Sequence, residues 1–305
     1  MPMLPELQEK FALNNNNQCH IDIVEGSGGL PLLKVNNKFA TAEIYLQGAQ
    51  LTHFQPHGEK PVLWLSDDSR FEPGAAIRGG VPICWPWFSA HPYEASLPSH
   101  GFARISNWTL DKVDATEDGS TRIQLSLTDN ESTRSIWSFK FDLVLSIIIN
   151  ETLEMRLTTS NRGAVPFTYT EALHSYFAVD DIHHTRIEGL QNTIYADKMD
   201  DMNRHGDSAS ITFAEETDRV YVNTTTSCSV CDDRTQRQIQ IEKTGSLATV
   251  VWNPWISKSA AMKDFRDDEW QHMVCVETAN FLEHAMTLEP TTSHTMMARI
   301  GIVRP

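Results

Sequence analysis

Three runs in the middle of the chain alternate apolar and polar residues with a period of two. "TRIQLSLTD" (121–129) turns Ile123, Leu125 and Leu127 to one side, "FKFDLVLSIII" (139–149) does the same with Phe139, Phe141, Leu143, Leu145 and Ile147, and "ETLEMRLTTSN" (151–161) with Leu153, Met155 and Leu157. Successive side chains of a strand point to opposite faces, so this pattern buries one face of an extended chain and gives a helix no coherent stripe. Turn-forming clusters, "TEDGS", "NE" and "SNRGAVP", flank and separate the runs at hairpin spacing. The expected element is an antiparallel meander.

Later segments repeat the theme. "HTRIEGL", "SASITFAEETDRVYVN", "RQIQIEKTG", "LATVVWNPW", "MVCVETANF" and "HTMMARIGIV" each read as a strand with a turn beside it. Helical candidates are few: residues 2–12, and a turn or helical knot at "DFRDDEWQHM". No strand-helix-strand rhythm and no fixed-period repeat occurs. The expected fold is all-β, a large antiparallel β-sandwich with few short helices. No composition shift marks a boundary, so residues 1–305 are read as a single domain, with 1–18 as an N-terminal helix or extension in which "NNNNQ" (14–18) is a linker.

Composition excludes several functions. Hydrophobic residues make up 40% and charged residues 21% of the 305, which argues for a folded chain and against disorder. The formal charge is −15 and the basic residues are scattered, so nucleic acid and anionic membrane surfaces are not expected partners. The first residues show no basic stretch followed by an apolar one, and "FDLVLSIIIN" is too short to span a bilayer, so a soluble, cytoplasmic protein is expected. Cys19, Cys84, Cys228, Cys231 and Cys275 are an odd, dispersed set rather than a disulfide framework. Cys228 and Cys231 form a lone C-x-x-C with no second pair to complete a zinc site, and the adjacent His183 and His184 make a poor chelate.

Polar residues that interrupt apolar or Gly/Pro-shaped sequence are the candidates for chemistry. "AIRGGVPICWPWF" (76–88) sets Arg78 against a glycine pair and an aromatic run broken by two prolines. "PSHGFARISNW" (98–108) sets His100 beside Gly101, four residues before Arg104, in a loop expected to reach the same mouth as Arg78. Two guanidinium forks at one cleft of an acidic chain suit a phosphate or carboxylate; equally, they could pair with carboxylates and staple loops. His174 in "EALHSYF" fits a satisfied core histidine or a proton-transfer group. Glu277 in "MVCVETANF" is a carboxylate in an apolar strand, costly unless something pairs or uses it. Asp218 in "FAEETDRVYVN" either closes a site from its rim or stabilises a turn. Trp85, Trp87, Trp252 and Trp255 could each be core or present an indole face to a ligand from a proline-shaped loop.

Taken in series, "IRGGVPICWPWF", "PSHGFARISNW", "EALHSYF", "ETDRVY", "VWNPW" and "VCVETAN" resemble the hexose-6-phosphate mutarotase (glucose-6-phosphate 1-epimerase) branch of the aldose 1-epimerase family, in the family's order and from about residue 40 to the end. The resemblance implies a galactose mutarotase-like supersandwich with the sugar in a cleft on its concave face. It implies Glu277 as catalytic base, His174 as catalytic acid, Asp218 as a sugar-hydroxyl ligand and His100 as a second active-site histidine. Arg78 and Arg104 match the arginines that hold the phosphate. Ser99 stands where some relatives carry a longer polar residue and is kept as a substrate contact.

The implied activity is cofactor-free interconversion of the α and β anomers of a hexose 6-phosphate, expected to be glucose 6-phosphate. It needs one base at the C1 hydroxyl and one acid at the ring oxygen. At its reference pKa of about 4.3 Glu277 would be ionised at neutral pH, whereas His174 must hold a proton. No G-x-G-x-x-G, P-loop or metal cluster is found, so no cofactor and no metal is expected. The expected partner is a small sugar phosphate, with neither nucleic acid nor membrane, and the expected state a monomer. Two alternatives stay open: an aldose 1-epimerase acting on neutral sugars, and a non-catalytic carbohydrate-binding protein.

Overall fold

A computed structural model of the chain describes residues 4–15 and 19–303. The three alternating runs become the strands Thr121–Thr128, Phe141–Ile149 and Thr152–Asn161, consecutive neighbours in a nine-stranded antiparallel sheet. Register explains why the pattern works. Ile123 stands opposite Ile147, Ile147 opposite Met155 and Met155 opposite Ala298, so one row of side chains crosses four strands. None of the four is more than 2% exposed. Directly opposed side chains share a face, so a slip of one residue in any strand would turn its whole apolar set to water.

An eight-stranded sheet supplies the second layer, with Thr217–Val222, Ala248–Asn253, Met273–Asn280, Glu171–Leu173 and Ile83–Cys84 as consecutive neighbours and Tyr176–Ala178 paired to Met273–Asn280. A five-stranded meander from Leu13–Asn15 to Gln50–Pro56 and a pair formed by Phe167–Tyr169 and Met286–Leu288 complete the β-structure. One contiguous apolar cluster runs from Leu7 to Ile300 between these layers. A smaller one, with Cys84, Phe88, Ala172, Val220 and Val250, contains residues that alternate along the strands of the eight-stranded sheet. The all-β expectation therefore holds, and no helix among the described residues is long and apolar enough to cross a membrane.

Several expectations need correction. The N-terminal helix is Leu4–Phe11, docked by Leu7 and Phe11, but the supposed linker begins as the strand Leu13–Asn15, which pairs with Cys19–Glu25; residues 1–3 and 16–18 lie outside the described part. "NE" is more than a turn: Asn130 accepts from the Thr133 N–H while the Thr133 hydroxyl accepts from the Asn130 N–H, a reciprocal cap that starts the helix Glu131–Ile136. "SASITFAEETDRVYVN" divides between sheets, Ile211–Thr212 joining the nine-stranded one and Thr217–Val222 the eight-stranded one. Phe139 lies just before its strand, half-buried against Trp137 and Phe167. Cys228 and Cys231 are three apart on the strand Cys228–Asp232, which sends them to opposite faces.

Candidate active site

The eight-stranded sheet carries two adjacent rows of side chains on one face. Asp218 stands opposite Trp252, Trp252 opposite Cys275 and Cys275 opposite Tyr176. In the next row Val220 opposes Val250 and Val250 opposes Glu277. Asp218 and Glu277 thus reach the same face from strands separated by a third. His174, two residues before Tyr176, lies over this face with its ring stacked on the Tyr176 ring, 4.8 Å between centroids and 12° from parallel. Its Nε2 is 3.4 Å from Glu277 Oε1.

The loop following Pro98 brings the second group. His100 has a positive φ of 64°, and its N–H donates to the Ser89 carbonyl at 2.7 Å. The Ser89 N–H donates back to His100 Nδ1 at 3.3 Å, which leaves the proton of the neutral ring on Nε2. Gly101 is required here: its φ is +74°, and a Cβ would lie 2.0 Å from the Trp85 carbonyl oxygen. Arg104 donates from Nη2 to the Ser99 carbonyl at 2.8 Å. What Ser99 contributes to this contact is therefore its backbone.

Arg78 is held from three sides. Its N–H donates to Ser69 Oγ at 2.7 Å, Nη1 donates to the Tyr176 hydroxyl at 3.0 Å, and Nη2 lies 3.1 Å from Asp264 Oδ2. The following glycines let the chain pass close: at Gly80, φ +63°, a Cβ would meet the Leu51 carbonyl oxygen at 2.1 Å. All seven site residues read from sequence, Arg78, Ser99, His100, Arg104, His174, Asp218 and Glu277, line a single cleft of about 320 Å³. Lys198, Trp252, Lys258 and Phe88 line it too. Of the four candidate tryptophans only Trp252 does so; Trp85 is wholly buried among Phe102, Phe141 and Trp137, Trp87 donates to the Pro98 carbonyl, and Trp255 packs on Trp270.

Burial overrides the protonation states that reference pKa values imply. Glu277 is 1% exposed, and desolvation pushes its carboxyl well above the ordinary range, Lys198 opposing and Asp218 reinforcing the shift. Desolvation pushes His174 well below its ordinary value, and Arg104 and Arg78 push the same way. The two shifts together leave one proton on the pair, on its neutral arrangement. His100 is likewise held neutral by burial and Arg104. Burial raises Asp218, with Lys198 pulling it back. For Arg78 burial is outweighed by Tyr176 and Asp264, which raise it.

His174, Cys275 and Glu277 place a nitrogen, a sulfur and an oxygen within 4.8 Å of one another. Desolvation keeps the Cys275 thiol protonated, and Arg104, Arg78 and Lys198 all act on His174. That field opposes a cation, and no metal is assigned to these groups. The described partners that sequence reading missed are Lys198, Tyr176 and Asp264. Tyr176 sat in a quoted motif; Lys198 and Asp264 lie in polar loops with nothing but charge to distinguish them.

Residues 31–300 match the family described as Aldose 1-epimerase. A protein of Salmonella typhimurium named "Putative glucose-6-phosphate 1-epimerase" is 40% identical over 82% of this chain and 83% of its own, and one of the same name from Escherichia coli is 37% identical over 87% and 88%. The crystal structure of a Salmonella typhimurium "putative mutarotase" superposes over the whole of both chains with a TM-score of 0.86 at 32% identity. A galactose mutarotase related enzyme from Lactobacillus acidophilus, 15% identical, shares the fold with a TM-score of 0.71 over 89% of this chain and 97% of its own. The sheets described above are thus of the galactose mutarotase kind, and the chain belongs to the aldose 1-epimerase family.

Proposed function

We propose that this protein interconverts the α and β anomers of a hexose 6-phosphate, with glucose 6-phosphate as the substrate, and that His174 and Glu277 perform the proton transfers. The observation that carries the reading is the 3.4 Å approach of His174 Nε2 to Glu277 Oε1 in a cleft that Arg78 and Arg104 also line. The hydroxyl on C1 and the ring oxygen O5 are bonded to one carbon, so the base and acid that serve them must stand a few ångströms apart. Glu277 takes the proton of the C1 hydroxyl while His174 gives one to O5. The C1–O5 bond breaks with its electron pair going to O5, and C1 becomes the aldehyde carbon. Rotation about C1–C2 followed by the reverse transfers closes the other anomer, and the pair ends with the proton count it began with.

The phosphate supports this chemistry by charge as well as by binding. In the free cleft, burial and the two arginines favour the neutral arrangement of the pair, with His174 unprotonated. A phosphate dianion on Arg78 and Arg104 cancels their share of that effect and stabilises imidazolium beside carboxylate. Asp218 accepts from sugar hydroxyls, His100 Nε2 donates to one, and Trp252 offers an apolar face to the ring.

A second reading has its own observation. Arg78 is already paired with Asp264 at 3.1 Å and Arg104 already bonds the Ser99 carbonyl, as scaffold arginines would. On that reading the substrate is a neutral aldose. Magnetisation transfer between the anomeric NMR signals of glucose 6-phosphate and of free glucose separates the two. Acceleration for the phosphate ester alone is expected; acceleration for free glucose alone would establish the second reading, and acceleration of neither would overturn both.

A further inference from the structure

Lys198 opens the short 3-10 turn Lys198–Asp200, whose start is fixed by Asp197: its carboxylate accepts from the Met199 N–H at 2.9 Å and lies 3.4 Å from Arg219 Nε. From that anchored backbone the ammonium reaches 3.0 Å from Asp218 Oδ1 and 3.1 Å from Oδ2. It stands over two aromatic rings, 5.5 Å from the centroid of Phe88 and 6.0 Å from that of Phe281. Those rings meet edge-on at 4.9 Å, a corner that fixes the end of a side chain only 22% exposed.

We infer that Lys198 is a positioning residue of the acid/base pair: clamped by Asp218 and the faces of Phe88 and Phe281, it supplies the positive charge that keeps the buried Glu277 available as a base. This rests on the anomer-interconverting reading above. The charged groups facing Glu277 are Lys198, Asp218 and Arg104, and the titratable ones His174, Cys275, Tyr176 and Cys84. Of the cations, Lys198 acts most strongly. Asp218 repels a second carboxylate on its face of the sheet, and Lys198 neutralises that repulsion while attracting Glu277 directly. Both effects favour the carboxylate. Lys198 transfers no proton itself.

Lys198→Met keeps the apolar stem and removes only the charge. The acid limb of kcat/KM for glucose 6-phosphate should then move up by about one pH unit or more, with turnover at pH 7 falling about tenfold or more. Lys198→Arg should restore most of both. The same shift should be seen in the Glu277 carboxyl resonance of ¹³C-glutamate-labelled free protein, assigned with Glu277→Gln. An unmoved acid limb or an unmoved resonance in Lys198→Met would overturn the inference. Asp218→Asn gives an independent test should Lys198→Met not fold: with Lys198 uncompensated, the Glu277 resonance should titrate at lower pH, and no change or an upward one would overturn it. If the wild type fails to accelerate anomer exchange, the functional reading falls, while the resonance still decides whether Lys198 governs Glu277.

Discussion

Two buried glutamates on neighbouring strands of one sheet show what surroundings do to the same side chain. Glu277, 1% exposed, has His174 at 3.4 Å; desolvation raises its carboxyl, and Lys198 and Arg104 oppose the rise. Glu171, 0% exposed, lies on the strand Glu171–Leu173, where its Oε1 accepts from Asn280 Nδ2 at 2.8 Å and stands 3.6 Å from His294 Nε2. His294 Nε2 is itself 2.7 Å from the Gly245 carbonyl oxygen, to which it donates, and Glu171 Oε2 has no hydrogen-bond partner among the described residues. Desolvation dominates at Glu171 and only Asn280 opposes it, so its carboxyl is pushed up to about 8. A buried carboxyl without cations is a neutral acid that pins strands together. One that faces a histidine and cations has the partners that can turn it into a base.

The contrast breaks most visibly in turnover. Glu277→Gln should cut anomer exchange by about 10²–10⁴-fold, as should His174→Asn, with melting temperature little changed for Glu277→Gln because the amide keeps the size and neutrality of the protonated carboxyl. Near-normal exchange in Glu277→Gln would remove it as the base. Glu171→Gln should do the reverse, leaving exchange within about twofold and changing how stability depends on pH. Between its ordinary value of 4.5 and about 8, the native state holds the Glu171 proton and the unfolded state does not. The native state therefore binds more protons, and the folding constant falls about tenfold per pH unit across that window. The contribution is fully present below it and lost above. Thermal melts from pH 4 to 9 should show Glu171→Gln gaining on the wild type as pH rises; parallel curves would show that Glu171 ionises in place.

Two further variants sharpen the cleft side of the comparison. Arg78→Ala removes a charge-assisted contact of about 1.5–3 kcal/mol, so kcat/KM for the phosphorylated sugar should fall roughly 10–100-fold, with much less change for free glucose. Equal losses for both sugars would reduce Arg78 to scaffold for Tyr176 and Asp264. Ser99→Ala should have the smallest effect, within about threefold in KM, because Arg104 bonds the Ser99 carbonyl rather than its hydroxyl. A larger loss would place the hydroxyl on the substrate.

How much of this was legible in advance varies by residue. The strands over 121–161 were readable because alternation is local: each side chain's face follows from its position along its own strand. Glu131–Ile136 was missed because its reciprocal cap, Asn130 with Thr133, looks like a turn in sequence. Of the seven site residues, Arg78, His100 and Arg104 stood out by their Gly/Pro setting and Glu277 by its apolar strand. His174 and Asp218 had bland readings at least as strong as the functional ones until the family motifs were taken in series, and Ser99 entered only with those motifs. Lys198 carried no signal. Its importance comes from the Phe88–Phe281 corner and from Asp218, none of them adjacent to it in the chain.

By itself the sequence determined that this protein is built of antiparallel strands, since a period of two buries one face of each strand and short turns join neighbours, and it determined which residues could do acid/base or anion chemistry. The tertiary structure alone decided that Arg78, His100, Arg104, His174, Lys198, Asp218 and Glu277 share one cleft. It also decided that Glu277 is raised and His174 lowered before any ligand arrives. The physical reason is the same for both: pairing between distant strands and the removal of water from a charge are set by neighbours tens to more than a hundred residues away, and no local pattern records them.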